Sequence, residues 1–262
     1  MIDIHCHILP NLDDGPENLE EAIKMCHIAF DEGIKSIIAT PHTMNGYYIN
    51  NRQTINKAVN KLNFVLKDNH INLAILPGAE VHVNYNIMDL INQGTAMTLN
   101  DQGKYLMLEF PVHIIPPRIK DQIFKLKLEG ITPIFAHPER NINIQNNINI
   151  IHELVMQGGL TQITAMSLTG EFGPAPRQCA QKMLELNLAH IIASDAHSAS
   201  LRAPRLKDAR DIASEIVGNQ YAQKMVIDFP YAIIKGLSLD DQLPEPKEPT
   251  KSFFQRLFNI SR

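Results

Sequence analysis

Seven short β-type runs alternate with amphipathic helical stretches along almost the whole chain, at residues 2–5, 36–40, 74–78, 105–109, 132–136, 160–164 and 190–194. No other feature limits the fold as much, because a strand, a helix and a further strand in that order pack as a βα unit on a parallel sheet. In the first helix, Leu19, Ala22, Ile23, Cys26 and Phe30 fall at helical spacings and Gly33 stops the run. Ile55, Val59, Leu62 and Leu66 mark the second, and the fourth is expected to begin after "IPPR", where Pro116 and Pro117 suit a first turn. The segment "NINIQNNINI" at 141–150 is expected as a loop leading into a helix. A chain of 262 residues, 44% of them hydrophobic, can close one large core, so a single α/β barrel over 1–242 is expected. Residues 243–262 are set apart as a proline-rich linker, "LPEPKEP", and a short amphipathic tail. Phe253, Phe254, Leu257, Phe258 and Ile260 form its apolar stripe, which is too short to hold a helix without docking on something else.

Six of the seven runs end in residues that ligate metals. His5 and His7 follow the first, His42 the second, Glu80 the third, Glu109 the fourth, His137 the fifth, and Asp195 with His197 the seventh. All strand C-termini of a parallel barrel open on one face, where such folds place their chemistry. The i, i+2 spacing puts His5 and His7 on one side of a strand and Cys6 on the other, and Asp195 with His197 repeats it. A single histidine at a strand end is more often a structural residue; the recurrence is what points to a centre. Imidazole and carboxylate together suit Mn, Fe or Zn, and this many donors exceeds the needs of one ion, which implies two or three. "DDG" adds a carboxylate, and either Asp13 or Asp14 could reach the face. His82 and His113 lie near enough to support the ligands, whereas His27, His70, His152 and His190 read as structural or solvated.

A net charge of −4 and an isoelectric point near 6.2 give no basic field for nucleic acid or an anionic membrane. With no basic leader and no long apolar run, a cytoplasmic location is expected. Cys6, Cys26 and Cys179 are odd in number and widely spaced, which describes reduced thiols. A cysteine-based phosphatase needs an arginine six positions after its nucleophile, and Leu12, Glu32 and Glu185 stand there instead.

In order, "HCH" with "DDG", "TPH", "GAE", "LEFP", "AHPER" and "SDAH" resemble the polymerase and histidinol phosphatase (PHP) superfamily over about residues 1–240. More closely, the chain resembles the manganese-dependent tyrosine-protein phosphatases of bacterial capsule and exopolysaccharide loci. That resemblance implies a distorted seven-stranded TIM-like (β/α) barrel and three metal ions. It assigns His5, His7, Glu80 and Asp195 to one ion, with Glu80 bridging to a second held by Glu109 and His137. Asp14, His42 and His197 would take the third, and the choice of Asp14 over Asp13 comes from the family pattern alone. Arg140 corresponds to the family's catalytic arginine. The implied activity is phosphotyrosine hydrolysis by a hydroxide on the metals, with a membrane-associated bacterial tyrosine kinase as the phosphoprotein partner and homo-oligomerisation left open. Tyr48 and Arg202, with Tyr47, Arg52 and Arg205 as weaker candidates, would line the substrate mouth. A histidinol-phosphate-type phosphatase, a phosphodiesterase and a non-catalytic scaffold of a polysaccharide-export complex are the competing readings.

Overall fold

The computed structural model describes residues 1–83 and 86–249. The tail stripe Phe253 to Ile260 lies outside the described residues. Among the described residues there are nine parallel strands: β1 (Ile2–Cys6), β2 (Ser36–Ala39), β3 (His42–Thr43), β4 (Ala74–Pro77), β5 (Glu80–His82), β6 (Tyr105–Glu109), β7 (Thr132–Ala136), β8 (Leu160–Thr164) and β9 (Ile191–Ala193). They pair as β1-β2-β4 and as β3-β5-β6-β7-β8-β9. All seven expected runs are strands, and the two additional ones arise where the second and third runs break and restart. The first break falls at Thr40 and Pro41, where proline has no N–H to donate to a ladder. The second falls at Gly78, where a Cβ would come within 2.7 Å of Ile38 Cγ2. Each break sends the restarted strand, and with it His42 or Glu80, into the second sheet.

The ring closes between β1 and β9: Asp195 N–H donates to His5 O at 2.8 Å and His7 N–H to Ala196 O at 2.9 Å. Two apolar clusters follow from strand alternation. Ile4, Ile38, Met107, Ile134, Leu160 and Ile191 project to one side and meet Phe229 and Ile233. The last two belong to α11 (Asp228–Ile234). The opposite strand faces, including Ile37, Leu106, Phe135 and Ile192, pack under the outer helices.

Helices α1 (Leu19–Asp31) and α2 (Arg52–Asp68) are capped by Asn18 and Asn51, whose side chains accept from Glu21 N–H and Thr54 N–H. In α2 the expected stripe of Ile55, Val59, Leu62 and Leu66 is buried. In α1 the buried face is Ala22, Met25, Cys26 and Ala29. Phe30 turns partly outward, its ring 5.0 Å from the Lys35 ammonium.

After α3 (Ile87–Asn92), α4 (Ile119–Leu128) begins directly after "IPPR" as expected, although Arg118 at φ 65° leaves Pro116 and Pro117 outside its first turn. Residues 141–150 are mostly helical and not a loop, forming α5 (Ile142–Asn146) and the start of α6 (Asn149–Met156). Asn141 makes this possible by accepting from the Asn143 and Ile144 N–H groups. The remaining helices are α7 (Ala165–Thr169), α8 (Pro174–Glu185), α9 (Lys207–Val217) and α10 (Asn219–Val226). The described part of the linker lies against the end of α8, where Lys247 N–H donates to Leu186 O.

Candidate metal centre

The strand ends, the restarted strands β3 and β5, and the loop after β1 bring all nine expected ligand residues into one connected group. His5 Nε2 is 3.4 Å from both Glu80 Oε1 and Asp195 Oδ1, and His7 Nε2 is 3.3 Å from Glu80 Oε2. His137 Nε2 lies 2.8 Å from Glu80 Oε1 and 4.0 Å from Glu109 Oε1. On the other side, His42 Nε2 and His197 Nε2 stand 3.5 and 3.4 Å from Asp14 Oδ1. Donors bound at about 2.0–2.1 Å around one tetrahedral ion are roughly 3.3 Å apart, so these separations suit shared cations. Among the described residues, four overlapping groups have this character: His7, Asp14, His42 and His197; His5, His7 and Glu80; His5, His137 and Asp195; and His42, Glu80 and Glu109.

Chemistry supports the same conclusion. Glu80 Oε2 and His42 Nδ1 are buried 2.9 Å apart without forming a hydrogen bond, as expected for two donors aimed at a third atom. Burial alone would raise the Glu80 carboxyl, yet His5, His137 and His42 hold it well below the usual range. Burial likewise opposes ionisation of Asp195, and His5, His137 and Arg202 overcome it. A hydrogen bond with His197 and its charge keep Asp14 low as well. Buried carboxylates at this density are stable only when paired with cations.

The rings are oriented from behind. Asp13 accepts from His7 Nδ1–H at 2.6 Å, Gln162 Oε1 from His5 Nδ1–H at 2.8 Å, and Asp195 O from His197 Nδ1–H at 3.0 Å. Each bond leaves the Nε2 lone pair directed at the centre. Asp13 also accepts from His42 N–H and Gly15 N–H, so it is used up in support while Asp14 faces the histidines. Gly15 is required there because a Cβ would collide with His7 O. Gln162 occupies β8, the run without a ligand at its end; a glutamine inside a buried strand was the overlooked signal. Asp3, pushed up to about 6 by burial, accepts from Ser194 and steadies the β1–β9 junction. His137 and Asp195 sit at φ 32° and 51°, a costly conformation for residues with side chains and a recurrent mark of functional sites.

Above the ligands, Arg140 Nη1 and Arg202 Nη2 donate to Asp195 Oδ2 at 2.6 and 2.7 Å. Glu139, the neighbour of Arg140 in sequence, is buried and accepts from Thr164 N–H and Ser167 Oγ–H. The Tyr48 ring lies parallel to His42, 6.2 Å away at 7°, and Tyr47 is 90% exposed. Arg52 instead pairs with Asp101. His82 Nδ1 approaches Glu109 Oε2 at 3.6 Å, whereas His113 is exposed. A cleft of about 500 Å³ bounded by Asp14, His197, Leu201 and Arg202 opens beside the centre. The three thiols are far from nucleophilic: burial pushes Cys26 and Cys179 up to about 12 and Cys6 well above its ordinary value.

A parallel α/β barrel with clustered candidate metal ligands at one face defines a metallohydrolase class. Residues 1–235 match the family described as capsular polysaccharide synthesis, CpsB/CapC, and the chain belongs to that family. It is 35% identical to the tyrosine-protein phosphatase YwqE of Bacillus subtilis over 97% of this chain and 99% of that protein. It is 30% identical to the tyrosine-protein phosphatase CpsB of Streptococcus pneumoniae over 89% and 98%. Among solved structures, a chain from the crystal structures of YwqE and CpsB, described as unique metal-dependent tyrosine phosphatases, superposes with a TM-score of 0.91. That chain is 33% identical, with 96% of this protein and 100% of the other covered.

Proposed function

We propose that this protein is a metal-dependent protein-tyrosine phosphatase, a phosphoric monoester hydrolase acting on a phosphotyrosine protein. The observation that carries the reading is the convergence of five imidazoles and four carboxylates beneath two guanidiniums. Divalent ions there, Mn in the first place and Fe or Zn as substitutes, would neutralise the phosphate and make water nucleophilic. His5, His7, Glu80 and Asp195 would hold one ion, Glu80, Glu109 and His137 a second, and Asp14, His42 and His197 a third.

The remaining work falls to the protein. Asp13 and Gln162 keep the Nδ1 protons of His7 and His5, so these rings present only Nε2 to the centre. Arg140 and Arg202 steady the phosphoryl oxygens, for which a guanidinium fork is geometrically suited. Tyr48 offers an aromatic face at the mouth beside His42. Phenolate leaves readily, which reduces the need for a dedicated proton donor.

The phosphoprotein partner in this reading is a membrane-associated tyrosine kinase of capsule or exopolysaccharide synthesis, approached from the cytoplasm, and membership of a capsular polysaccharide synthesis family supports that setting. No helix among the described residues is long and apolar enough to cross a membrane. The test is a comparison of a phosphotyrosine peptide, histidinol phosphate and a phosphodiester with the Mn-loaded protein. The peptide should turn over fastest; preference for either other substrate, or no turnover of any, would replace this reading.

A further inference from the structure

Of the seven strand runs, only that of β8 ends without an imidazole or carboxylate, and the loop beyond α7 carries "GEFGP" at 170–174. The sheet order β7-β8-β9 places the connection after β8 between those supplying Arg140 and Arg202. From this middle position Phe172 reaches both. Its ring centroid is 4.9 Å from Arg140 Cζ and 5.7 Å from Arg202 Cζ. The turn presenting the ring is closed on itself: Gly170 and Gly173 adopt φ 93° and 91°, and Gly173 N–H donates to Gly170 O at 2.9 Å. Glu171 N–H is tied back to Met166 O at 3.0 Å, and Pro174 opens α8 directly afterwards.

Asp195 divides its carboxylate between two tasks. Oδ1 faces His5 and His7 at 3.4 and 3.5 Å, while Oδ2 receives both guanidiniums. Two cations on one oxygen repel each other, and the negative face of an aromatic ring offsets that repulsion. The Arg140 and Arg202 side chains are 31% and 26% exposed, so without a wedge their long stems would sample other positions.

Resting on the phosphatase reading above, we propose that Phe172 is a positioning residue that holds Arg140 and Arg202 together as one two-armed clamp for the phosphoryl group. Ordering both arms before substrate arrives removes an entropic cost from binding and aligns their donors with the transferring group. The clamp leaves the ligand oxygen of Asp195 free, so it acts on phosphate and not on metal retention.

The test uses the full-length, Mn-loaded protein with Phe172→Leu, which keeps apolar bulk but has no aromatic face, and Phe172→Tyr, which restores that face. Three quantities are measured: bound metal, steady-state kinetics on an aryl phosphate, and inorganic phosphate affinity by calorimetry. Phe172→Leu should keep its metal while losing roughly tenfold in kcat/KM and a similar factor in phosphate affinity. Phe172→Tyr should recover both. In an Arg140→Ala, Arg202→Ala background, Phe172→Leu should add almost nothing to the loss of phosphate affinity. Wild-type kinetics and phosphate affinity in Phe172→Leu, equal impairment in Phe172→Tyr, loss of metal, or an undiminished effect without the arginines would each overturn the proposal. If the wild-type protein binds phosphate yet hydrolyses no aryl phosphate, the phosphatase reading fails, and the phosphate affinities alone decide whether Phe172 organises the clamp.

Discussion

Asp13 Oδ2 accepts the Nδ1 hydrogen of His7 at 2.6 Å, and the opposite ring nitrogen thereby points at Glu80 and Asp195. Neighbouring aspartates thus take different tasks, Asp13 orienting a ring and Asp14 facing His42 and His197. Asp13→Ala should weaken metal affinity about 10–100-fold, the usual cost of losing such a partner. Asp14→Ala should instead reduce the number of ions held per chain. Metal titration with elemental analysis distinguishes the two, and equal stoichiometry and affinity in both variants would remove the distinction.

Glu80 and Arg140 separate holding metal from using it. Glu80→Gln should lose bound metal and activity together, since Glu80 contacts His5, His7, His42 and His137. Arg140→Ala should retain its metal and lose about 10²–10³ in kcat, the scale of removing one donor to transition-state charge. An Arg140→Ala enzyme turning over at the wild-type rate would end its assignment to the phosphoryl group.

His190 makes a stability prediction away from the centre. Burial lowers its ring to about 4 from the ordinary 6.5, and Nδ1 accepts from Thr161 N–H. Between those values the unfolded chain binds more protons than the folded one. Its contribution is therefore complete above pH 6.5 and falls on acidification, by about 2 kcal/mol at pH 5. Urea titrations at pH 7 and pH 5 should show a larger loss for wild type than for His190→Gln. Parallel losses would mean that His190 does not titrate in this range.

The buried thiols predict indifference to alkylation. Native protein treated with iodoacetamide should keep its metal-dependent activity, because Cys6, Cys26 and Cys179 are buried and held protonated. Rapid inactivation matched by labelling of one cysteine would point to a thiol mechanism instead.

The seven strand runs and the convergence of the candidate ligands were legible because each imposes a local pattern: short apolar runs, six of the seven ending in a ligand type. The breaks at Pro41 and Gly78 were visible as residues but not as consequences, since what they redirect is a strand within a closed sheet. Asp13 was visible as a carboxylate but not in its orienting role, and Gln162 and Phe172 were hidden for a related reason. Their partners are His7, His5 and two arginines, and the last three contacts span long sequence separations that no spacing rule reports. The helix at 142–146 was missed because Asn141 caps it through its side chain, a signal weaker than the polar composition around it.

The central claim is that metal held by this ligand set drives hydrolysis of phosphotyrosine. It is tested most directly by chelating the protein until its metal content is near zero, then adding Mn(II) while following phosphate release from a phosphotyrosine peptide. The metal-free protein should be inactive and melt at a lower temperature, and Mn(II) should restore both properties. Undiminished turnover by protein verified to be free of metal would contradict the account.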